Sequence, residues 1–259
     1  MRTVIRGNIK NKRRKRILMA YAARTVAVLF MTLVLGLVIC GFLYIVEHLF
    51  HKGDVYGEVV EEYEYAVEEE DTSLDFLAKS LSGKKIVVDA GHGGKDEGTS
   101  WGNLKEKDMV LSMALMLKTE LESYGADVIM TREDDTFLSL EKRTELANNA
   151  EADLYISVHI DWFEDDASIH GLTCHYMQGS SKSQQYASKL TELLGASGIV
   201  SVRKEKASDF YVLRNTTMPA LLIETGYLSN EVDKNNLSDQ SFQKNLMAGI
   251  AQGICELWK

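Results

Sequence analysis

The sequence predicts an α/β fold in which a mostly parallel, twisted sheet is flanked by helices. This prediction rests first on an alternation, because short runs rich in Val, Ile and Leu are followed by longer segments with apolar residues at helical spacing. It rests also on composition, since 45% hydrophobic residues in a chain of 259 can bury a sizeable core. Disorder throughout the chain is thereby excluded.

The predicted elements begin at Lys84 and alternate to the end of the sequence. Strands are predicted over residues 84–90, 126–132, 153–159, 171–177 and 219–225. Helices are predicted over residues 108–124, 139–150, 181–198 and 240–258. Ser139 is the expected N-cap of the second helix, while Gly125 and Gly198 are expected to end the first and third helices.

The first 46 residues are expected to cross a membrane. Residues 1–24 carry nine basic and no acidic residues, and residues 25–46 carry no charge. A helix over these 22 uncharged residues is about 33 Å long, which is enough to span a bilayer core. The basic segment is expected to stay in the cytoplasm, which places Glu47 and all later residues on the extracytoplasmic side of the cytoplasmic membrane.

A cleaved signal peptide is the alternative interpretation of this segment. Its apolar stretch is longer than the roughly 7–15 residues of a signal peptide, and no A-x-A cleavage site follows it. Lipidation of Cys40 is not expected, because Ile39 stands where the lipoprotein pattern needs a small residue. A single-pass signal anchor over residues 25–46 is therefore the prediction.

The rest of the sequence is acidic, with 20 Lys and Arg against 38 Asp and Glu. Acids are densest in residues 47–83, where like charges predict an extended or loosely helical stalk. Residues 84–259 form the predicted globular domain. An acidic body argues against nucleic acid as a partner, because phosphate binding draws its affinity from Lys and Arg.

Cysteine usage does not indicate a disulfide framework. Of the three cysteines, Cys40 lies in the predicted span, which leaves Cys174 and Cys255 either to pair or to remain as core thiols. The sequence does not decide between these two states. A zinc site built from cysteines is not expected, because no C-x-x-C spacing occurs.

Polar side chains at the ends of three predicted strands indicate where chemistry would take place. His92 follows the first strand in a glycine-rich turn, His159 ends the third, and Glu224 follows the apolar run PALLI. Because ligands of open α/β sheets bind beyond the carboxyl ends of the strands, these side chains are expected to converge on one rim.

A metal site explains this pattern better than a phosphate site. The turn has neither the GK[ST] ending of a P-loop nor the G-x-G-x-x-G spacing. Two imidazoles and one carboxylate would make a catalytic zinc site with an open position for water. Glu106 is the candidate third ligand because it opens the next helix, although Asp108 is a neighbouring acid and a first-turn Glu commonly just complements the helix dipole.

Glu224 is the candidate general base. Its position after five apolar residues is expected to bury the carboxyl group and to raise its pKa, which suits proton transfer from a metal-activated water. The alternative is a structural carboxylate that accepts hydrogen bonds from backbone amides of the following GYLSN turn.

Several ordered segments between Lys84 and Lys259 resemble one known family: VVDAGHGGKDEGT, LKEKDM, VIMTREDDTFLSLEKRTELAN, LYISVHID, FYVLR and MPALLIETGYLSN. Together they resemble the catalytic domain of the zinc-dependent N-acetylmuramoyl-L-alanine amidases, or amidase type 3. The resemblance implies that His92, Glu106 and His159 bind one catalytic zinc ion and that Glu224 is the catalytic glutamate.

The resemblance also implies the substrate, which is the amide between N-acetylmuramic acid and L-alanine in cell-wall peptidoglycan. The expected partners are thus peptidoglycan and, through the N-terminal helix, the membrane. No protein activator is identified by the sequence. The alternatives are a catalytically inactive wall-binding or regulatory module, or a zinc peptidase that acts on stem peptides.

The sequence departs from the family pattern at two positions. Ala90 replaces the usual proline and is expected to change only loop stiffness, whereas Asp161 replaces an asparagine and adds a negative charge beside His159. Only eleven residues separate His159 from Gly171, which is too few for the long blocking helix that some relatives insert there. The site is therefore expected to be open.

Other residues near the predicted site receive weaker interpretations. Trp162 and Phe163 can line a substrate groove or simply pack under a loop, and Arg143 and Arg214 can bind a substrate carboxylate or form ordinary ion pairs. No ligand role is expected for the remaining histidines, which are His48, His51, His170 and His175.

Overall fold

The structure is a computed structural model that describes residues 80–258. The predicted basic segment (1–24), the predicted membrane span (25–46) and most of the predicted stalk lie outside the described residues. Within residues 80–258, no helix is both long and apolar enough to cross a membrane. Leu81, near the end of the predicted stalk, is fully buried, and its N–H donates to the carbonyl of Tyr124 at 2.9 Å.

Strands and helices alternate along the described part of the chain. The strands are β1 (Lys85–Ala90), β2 (Ser100–Trp101), β3 (Leu104–Lys105), β4 (Asp127–Met130), β5 (Leu154–Asp161), β6 (Thr173–Tyr176), β7 (Lys206–Ala207) and β8 (Ala220–Tyr227). The helices are α1 (Glu106–Ser123), α2 (Leu140–Asn149), α3 (Ser181–Ser197), α4 (Tyr211–Arg214), α5 (Glu231–Ser238) and α6 (Gln240–Cys255).

Six strands form one sheet in the order β4-β1-β5-β8-β6-β7, and β2 and β3 form a separate antiparallel hairpin. Strands β4, β1, β5 and β8 are parallel, whereas β6 runs antiparallel to β8 and parallel to β7. The predicted mostly parallel sheet is confirmed. Because β1, β5 and β8 are parallel neighbours, their carboxyl ends lie along one edge of the sheet.

Helices cover both faces of this sheet. Ile86 and Val88 of β1 belong to the larger apolar cluster, which includes buried residues of α1, α3 and α6. Val87 of β1 and Tyr155 of β5 belong to the smaller cluster, which includes Ala147 of α2 and residues of α4. A sheet buried on both faces explains why its strands read as continuous apolar runs rather than as strict alternation.

Several boundaries and short elements differ from the sequence prediction. Helix α1 begins at Glu106 rather than at Asp108, and α6 ends at Cys255 rather than at residue 258. The hairpin, β7 and α4 were not predicted, because two to four residues are too few to show a period. Helix α5 was also missed, since its buried residues are only Asp233 and Leu237.

The structure shows how two of the helices are capped and that two cysteines are thiols rather than a disulfide. The N-cap role of Ser139 is confirmed, since its hydroxyl accepts a hydrogen bond from the Lys142 N–H. Gly198, whose φ of 68° is left-handed, caps the carboxyl end of α3. Cys174 and Cys255 are both buried, and no disulfide joins them.

A buried carboxylate joins the strands and α2 behind the edge of the sheet. Asp89, at the end of β1, is 1% exposed and accepts four side-chain hydrogen bonds. The donors are Thr131 at 2.6 Å, Arg143 at 2.6 Å, Tyr155 at 2.7 Å and Ser157 at 2.7 Å. Arg143 is itself 2% exposed, so its ion pair with Asp89 is shielded from water. A buried ion pair of this kind depends on such hydrogen bonds for its stability.

We predict that Asp89→Asn lowers the free energy of unfolding by about 3 kcal/mol, because the buried Arg143 charge loses its partner. Urea unfolding of the purified protein at neutral pH, followed by tryptophan fluorescence, measures the change. Asp127→Asn, at an exposed position of β4, is the control and is expected to change stability by less than about 0.5 kcal/mol. Equal losses in the two variants would contradict this role for Asp89.

The same comparison has an expected pH dependence. Burial opposes ionisation of Asp89, but the Arg143 charge and the hydrogen bonds from Thr131 and Ser157 lower its pKa below the ordinary value. Such a carboxylate contributes stability above its unfolded pKa of about 3.9, and the contribution is lost as the pH falls through the folded pKa. The difference in free energy of unfolding between wild type and Asp89→Asn is therefore expected to shrink as the pH falls. A difference that stays constant until the protein unfolds in acid would contradict this role for the Asp89 charge.

Candidate metal centre

Three of the residues singled out in the sequence meet at the carboxyl edge of the sheet. His92 lies in the turn after β1, His159 lies in β5, and Glu106 is the first residue of α1. One nitrogen or oxygen atom from each lies within 4.8 Å of the others. The convergence expected from the ends of parallel strands is therefore present.

The carboxylate of Glu106 lies at the middle of this cluster. Its Oε1 atom is 3.1 Å from Nε2 of His92 and 3.0 Å from Nδ1 of His159. The backbone N–H of Ile160 also donates to Oε1 at 3.0 Å, and the N–H of Thr99 donates to Oε2 at 2.8 Å. Two backbone donors and two imidazoles thus fix the orientation of a carboxylate that is only 3% exposed.

Asp96 lies beside the other nitrogen of the His92 ring. Its Oδ2 atom is 2.9 Å from Nδ1 of His92, which leaves Nε2 directed toward Glu106. A carboxylate beside the second ring nitrogen is common for metal-binding histidines, where it sets the tautomer and ring orientation. Asp96 was not singled out from the sequence, although a carboxylate four residues after His92 in the same turn was the available signal.

Two glycines make room for the cluster. A Cβ atom at Gly91 would overlap the ring of His159, and one at Gly98 would overlap the Glu106 carboxylate and lie 2.7 Å from Cδ2 of His92. His92 itself has a φ of 58°, a left-handed conformation that is uncommon for residues other than glycine. The glycine-rich turn therefore serves close approach between side chains rather than phosphate binding.

The geometry fits one metal ion. Atoms bound to a tetrahedral zinc at about 2.0–2.1 Å lie about 3.3 Å from each other. The contacts of Glu106 with the two imidazoles, at 3.0 and 3.1 Å, are close to that separation. Two imidazoles and one carboxylate also leave one tetrahedral position free, as in catalytic rather than structural metal sites.

Electrostatics within the cluster favour a charged carboxylate. Burial opposes the charge on Glu106, but hydrogen bonds and charge interactions with His159 and His92 hold its pKa well below the usual range. Burial likewise opposes protonation of His159, while contact with Glu106 and the charges of Glu224 and Asp89 raise its pKa to about 9. The negative charge at Glu106 is thus available to attract a cation.

Glu224 lies beside this cluster with one oxygen unused. It is paired with His159 in the register of β5 and β8, and its Oε2 atom is buried without a hydrogen-bond partner. Burial raises the pKa of the Glu224 carboxyl to about 7, with the His159 charge opposing and the Asp161 charge adding to this effect. The Oε2 atom is therefore not used in a hydrogen bond to the following GYLSN turn.

A cavity of about 480 Å³ adjoins His92, His159 and Glu224. Apolar side chains from the loop before α2, from α4 and from the strands form much of its lining, namely Phe137, Leu138, Leu140, Phe210, Tyr211, Val212 and Leu222. The cavity is large enough for part of an organic substrate, and Glu224 is among the residues that line it.

The arginines and aromatic residues considered from the sequence make contacts with other parts of the protein. Arg143 lines the cavity, but its guanidinium is bonded to Asp89 and to backbone carbonyls. Arg214 is exposed and pairs with Asp209. Trp162 stacks on Trp101 with ring centroids 5.8 Å apart, and neither Trp162 nor Phe163 lines the cavity.

The other histidines within residues 80–258 do not join the cluster. His175 is buried with Nδ1 2.7 Å from the Ser208 hydroxyl, and burial together with Lys206 lowers its pKa to about 4. His170 is exposed, with Nδ1 2.9 Å from the carbonyl of Ser168, while His48 and His51 lie outside the described residues. The described loop over residues 162–172 contains no helix, as its short length predicts.

Comparison with known proteins gives one consistent result. The family model described as N-acetylmuramoyl-L-alanine amidase matches residues 86–256. The chain is 37% identical over 193 residues to the probable cell wall amidase LytH of Staphylococcus aureus, and the match covers 71% of this chain. The chain spans 63% of the length of that relative.

Solved structures are similar as well. An N-acetylmuramoyl-L-alanine amidase from Clostridium difficile 630 superposes with a TM-score of 0.65 and 31% identity, covering 68% of this chain and 96% of that one. The CwlD amidase from Clostridioides difficile, solved in complex with the GerS lipoprotein, has a TM-score of 0.64 and 31% identity. That match covers 67% of this chain and 98% of CwlD as solved.

We predict that Gly91→Ala weakens metal binding, because the added Cβ displaces the His159 ring from Glu106. Titration with zinc in competition with a chromophoric chelator measures the affinity. Gly195→Ala is the matched control, since the only heavy atom near its added Cβ is 4.0 Å away. It is expected to leave metal affinity unchanged and to raise helix stability by up to about 1 kcal/mol. Unchanged affinity in Gly91→Ala would contradict the described packing.

Proposed function

The chain belongs to the N-acetylmuramoyl-L-alanine amidase family, and from this premise we propose that it is a zinc-dependent hydrolase of peptidoglycan. The bond cleaved is the amide between N-acetylmuramic acid and L-alanine. The observation that carries the proposal is the cluster of His92, Glu106 and His159 beside a buried Glu224 oxygen that has no partner.

Each of the four residues has a stated role in the proposal. His92, Glu106 and His159 hold the zinc ion, which, when bound, acts as a Lewis acid toward water and the amide carbonyl. Glu224 accepts a proton from the attacking water and then donates it to the leaving amine of L-alanine. A pKa near 7, which results from burial, allows the carboxyl group both to accept and to release this proton near neutral pH.

The cavity is proposed to orient the substrate. One polar wall, formed by the metal cluster and Glu224, faces the scissile amide, and the apolar wall around Phe137 and Phe210 excludes water from one side of it. Burial is the main cause of the raised pKa of Glu224, and we propose that the negative charge of Asp161 adds to this effect.

The N-terminal segment is proposed to hold the enzyme at its substrate. Residues 25–46 would anchor the chain in the cytoplasmic membrane, with residues 47–83 as a spacer and residues 84–259 as the catalytic domain outside. A protein activator is not assigned. The complex of CwlD with a lipoprotein concerns that protein alone.

Peptidoglycan digestion followed by mass spectrometry tests the activity. An amidase releases stem peptides with new L-alanine amino termini, and the release is expected to stop with a zinc chelator and to return when zinc is added. New termini within the stem peptide would assign a zinc peptidase instead. Intact links between sugar and peptide in the presence of bound zinc would favour an inactive wall-binding or regulatory module.

We predict that Glu224→Gln keeps zinc and lowers turnover by about 10²- to 10⁴-fold, because the side chain can no longer accept the proton. His92→Ala is expected to lose zinc and activity together, since one of three ligands is gone. Metal content by mass spectrometry and release of L-alanine termini are measured on the same samples. Full turnover in Glu224→Gln would exclude this residue as the base.

We predict that removal of residues 1–46 gives an active protein that stays in solution without detergent, because the uncharged stretch is absent. Fractionation of cells that express the full-length and shortened forms measures the change. Membrane association of the shortened form would show that residues 25–46 are not the anchor.

A further inference from the structure

We propose that Arg132 is a positioning residue that fixes the separation between two candidate metal ligands, His92 and Glu106. The inference rests on the proposed function, because it assumes that these residues bind a metal ion. It concerns the backbone behind the ligands rather than the ligands themselves.

The Arg132 guanidinium donates to four backbone carbonyls and is bonded to no other described group. Nε donates to Ala90 at 2.9 Å, and Nη1 donates to Asp134 at 2.9 Å. Nη2 donates both to Gly91 at 2.7 Å and to Lys107 at 2.8 Å. One nitrogen therefore bridges two segments that are otherwise separate in the sequence.

These two segments are the ones that carry the ligands. Gly91 directly precedes His92, and Lys107 directly follows Glu106. A donor shared by the two carbonyls holds the turn after β1 against the first turn of α1. The 3.1 Å contact between His92 and Glu106 depends on that separation.

Burying the Arg132 charge costs free energy, which argues that its hydrogen bonds to the backbone carbonyls have a specific role. The residue is 4% exposed, and among residues 80–258 no carboxylate forms an ion pair with it. Burial and the nearby Arg143 charge lower its pKa, whereas the charges of Asp89, Asp135 and Asp108 raise it. Its hydrogen bonds all go to backbone carbonyls. A Cβ at Gly93 would lie 2.3 Å from the Thr136 carbonyl oxygen and 2.9 Å from Arg132 Nε, so the turn packs closely against both.

Lysine cannot reproduce this arrangement. The guanidinium presents donors at three nitrogens in a rigid plane, which allows it to reach carbonyls on two sides at once. The lysine ammonium group keeps the charge and most of the stem but has a single nitrogen. Arg132→Lys therefore separates the effect of geometry from the effect of charge.

The test compares zinc affinity with stability in the purified full-length chain. Arg132→Lys is expected to weaken zinc binding by about 10- to 100-fold, as measured by chelator competition. Gln243→Leu is the matched control, because Gln243 is also buried and donates to a backbone carbonyl, that of Leu237 at 2.6 Å, away from the centre. The control is expected to lower the urea midpoint and to leave zinc affinity unchanged.

Weaker zinc binding in Arg132→Lys, at a urea midpoint no lower than that of Gln243→Leu, supports the positioning role. Wild-type zinc affinity in Arg132→Lys overturns it and leaves the proposed function intact. If Arg132→Lys does not fold, Arg132→Gln, which buries no charge, takes its place, and failure of both variants to fold assigns Arg132 to the fold alone. A wild-type chain that binds no zinc overturns the proposed function and this inference with it.

Discussion

One carboxylate oxygen that lies within hydrogen-bonding distance of two imidazole nitrogens is the constraint on which this structure depends. Glu106 is 3% exposed, and its negative charge is stable there only because donors surround it. His92 and His159 supply two of the contacts, and the backbone N–H groups of Ile160 and Thr99 supply the others. Every neighbouring element has to deliver its donor at the same place.

The strand order of the sheet and two buried arginines bring these groups to one place. The order β1-β5-β8 brings the turn of His92, the strand of His159 and the strand of Glu224 to one edge. Behind this edge, Arg132 and Arg143 donate to the carbonyls of residues 90–92, and Asp89 balances the charge of Arg143. Hydrogen bonds to its carbonyls thus fix the glycine-rich turn, while Gly91 of the same turn packs closely against the His159 ring.

The sequence was sufficient to place the main elements and the four central residues, for a physical reason. Parallel strands end at one edge, so polar residues after apolar runs were expected to meet there, whereas the choice of Glu106 over Asp108 came from the resemblance to the amidases. Asp96 and Arg132 were missed because their importance lies in which atoms they contact, and a sequence without a known backbone does not specify that. For the same reason the sequence left open whether Arg143 binds a substrate carboxylate or forms an ordinary ion pair, and the structure shows an ion pair with Asp89.

A crystal structure of the zinc-loaded chain, with anomalous data on both sides of the zinc absorption edge, tests the central claim most directly. The account predicts a single ion bound by His92, Glu106 and His159, with Glu224 nearby but not coordinating. An ion bound at other residues, or one that Glu106 does not touch, would contradict it.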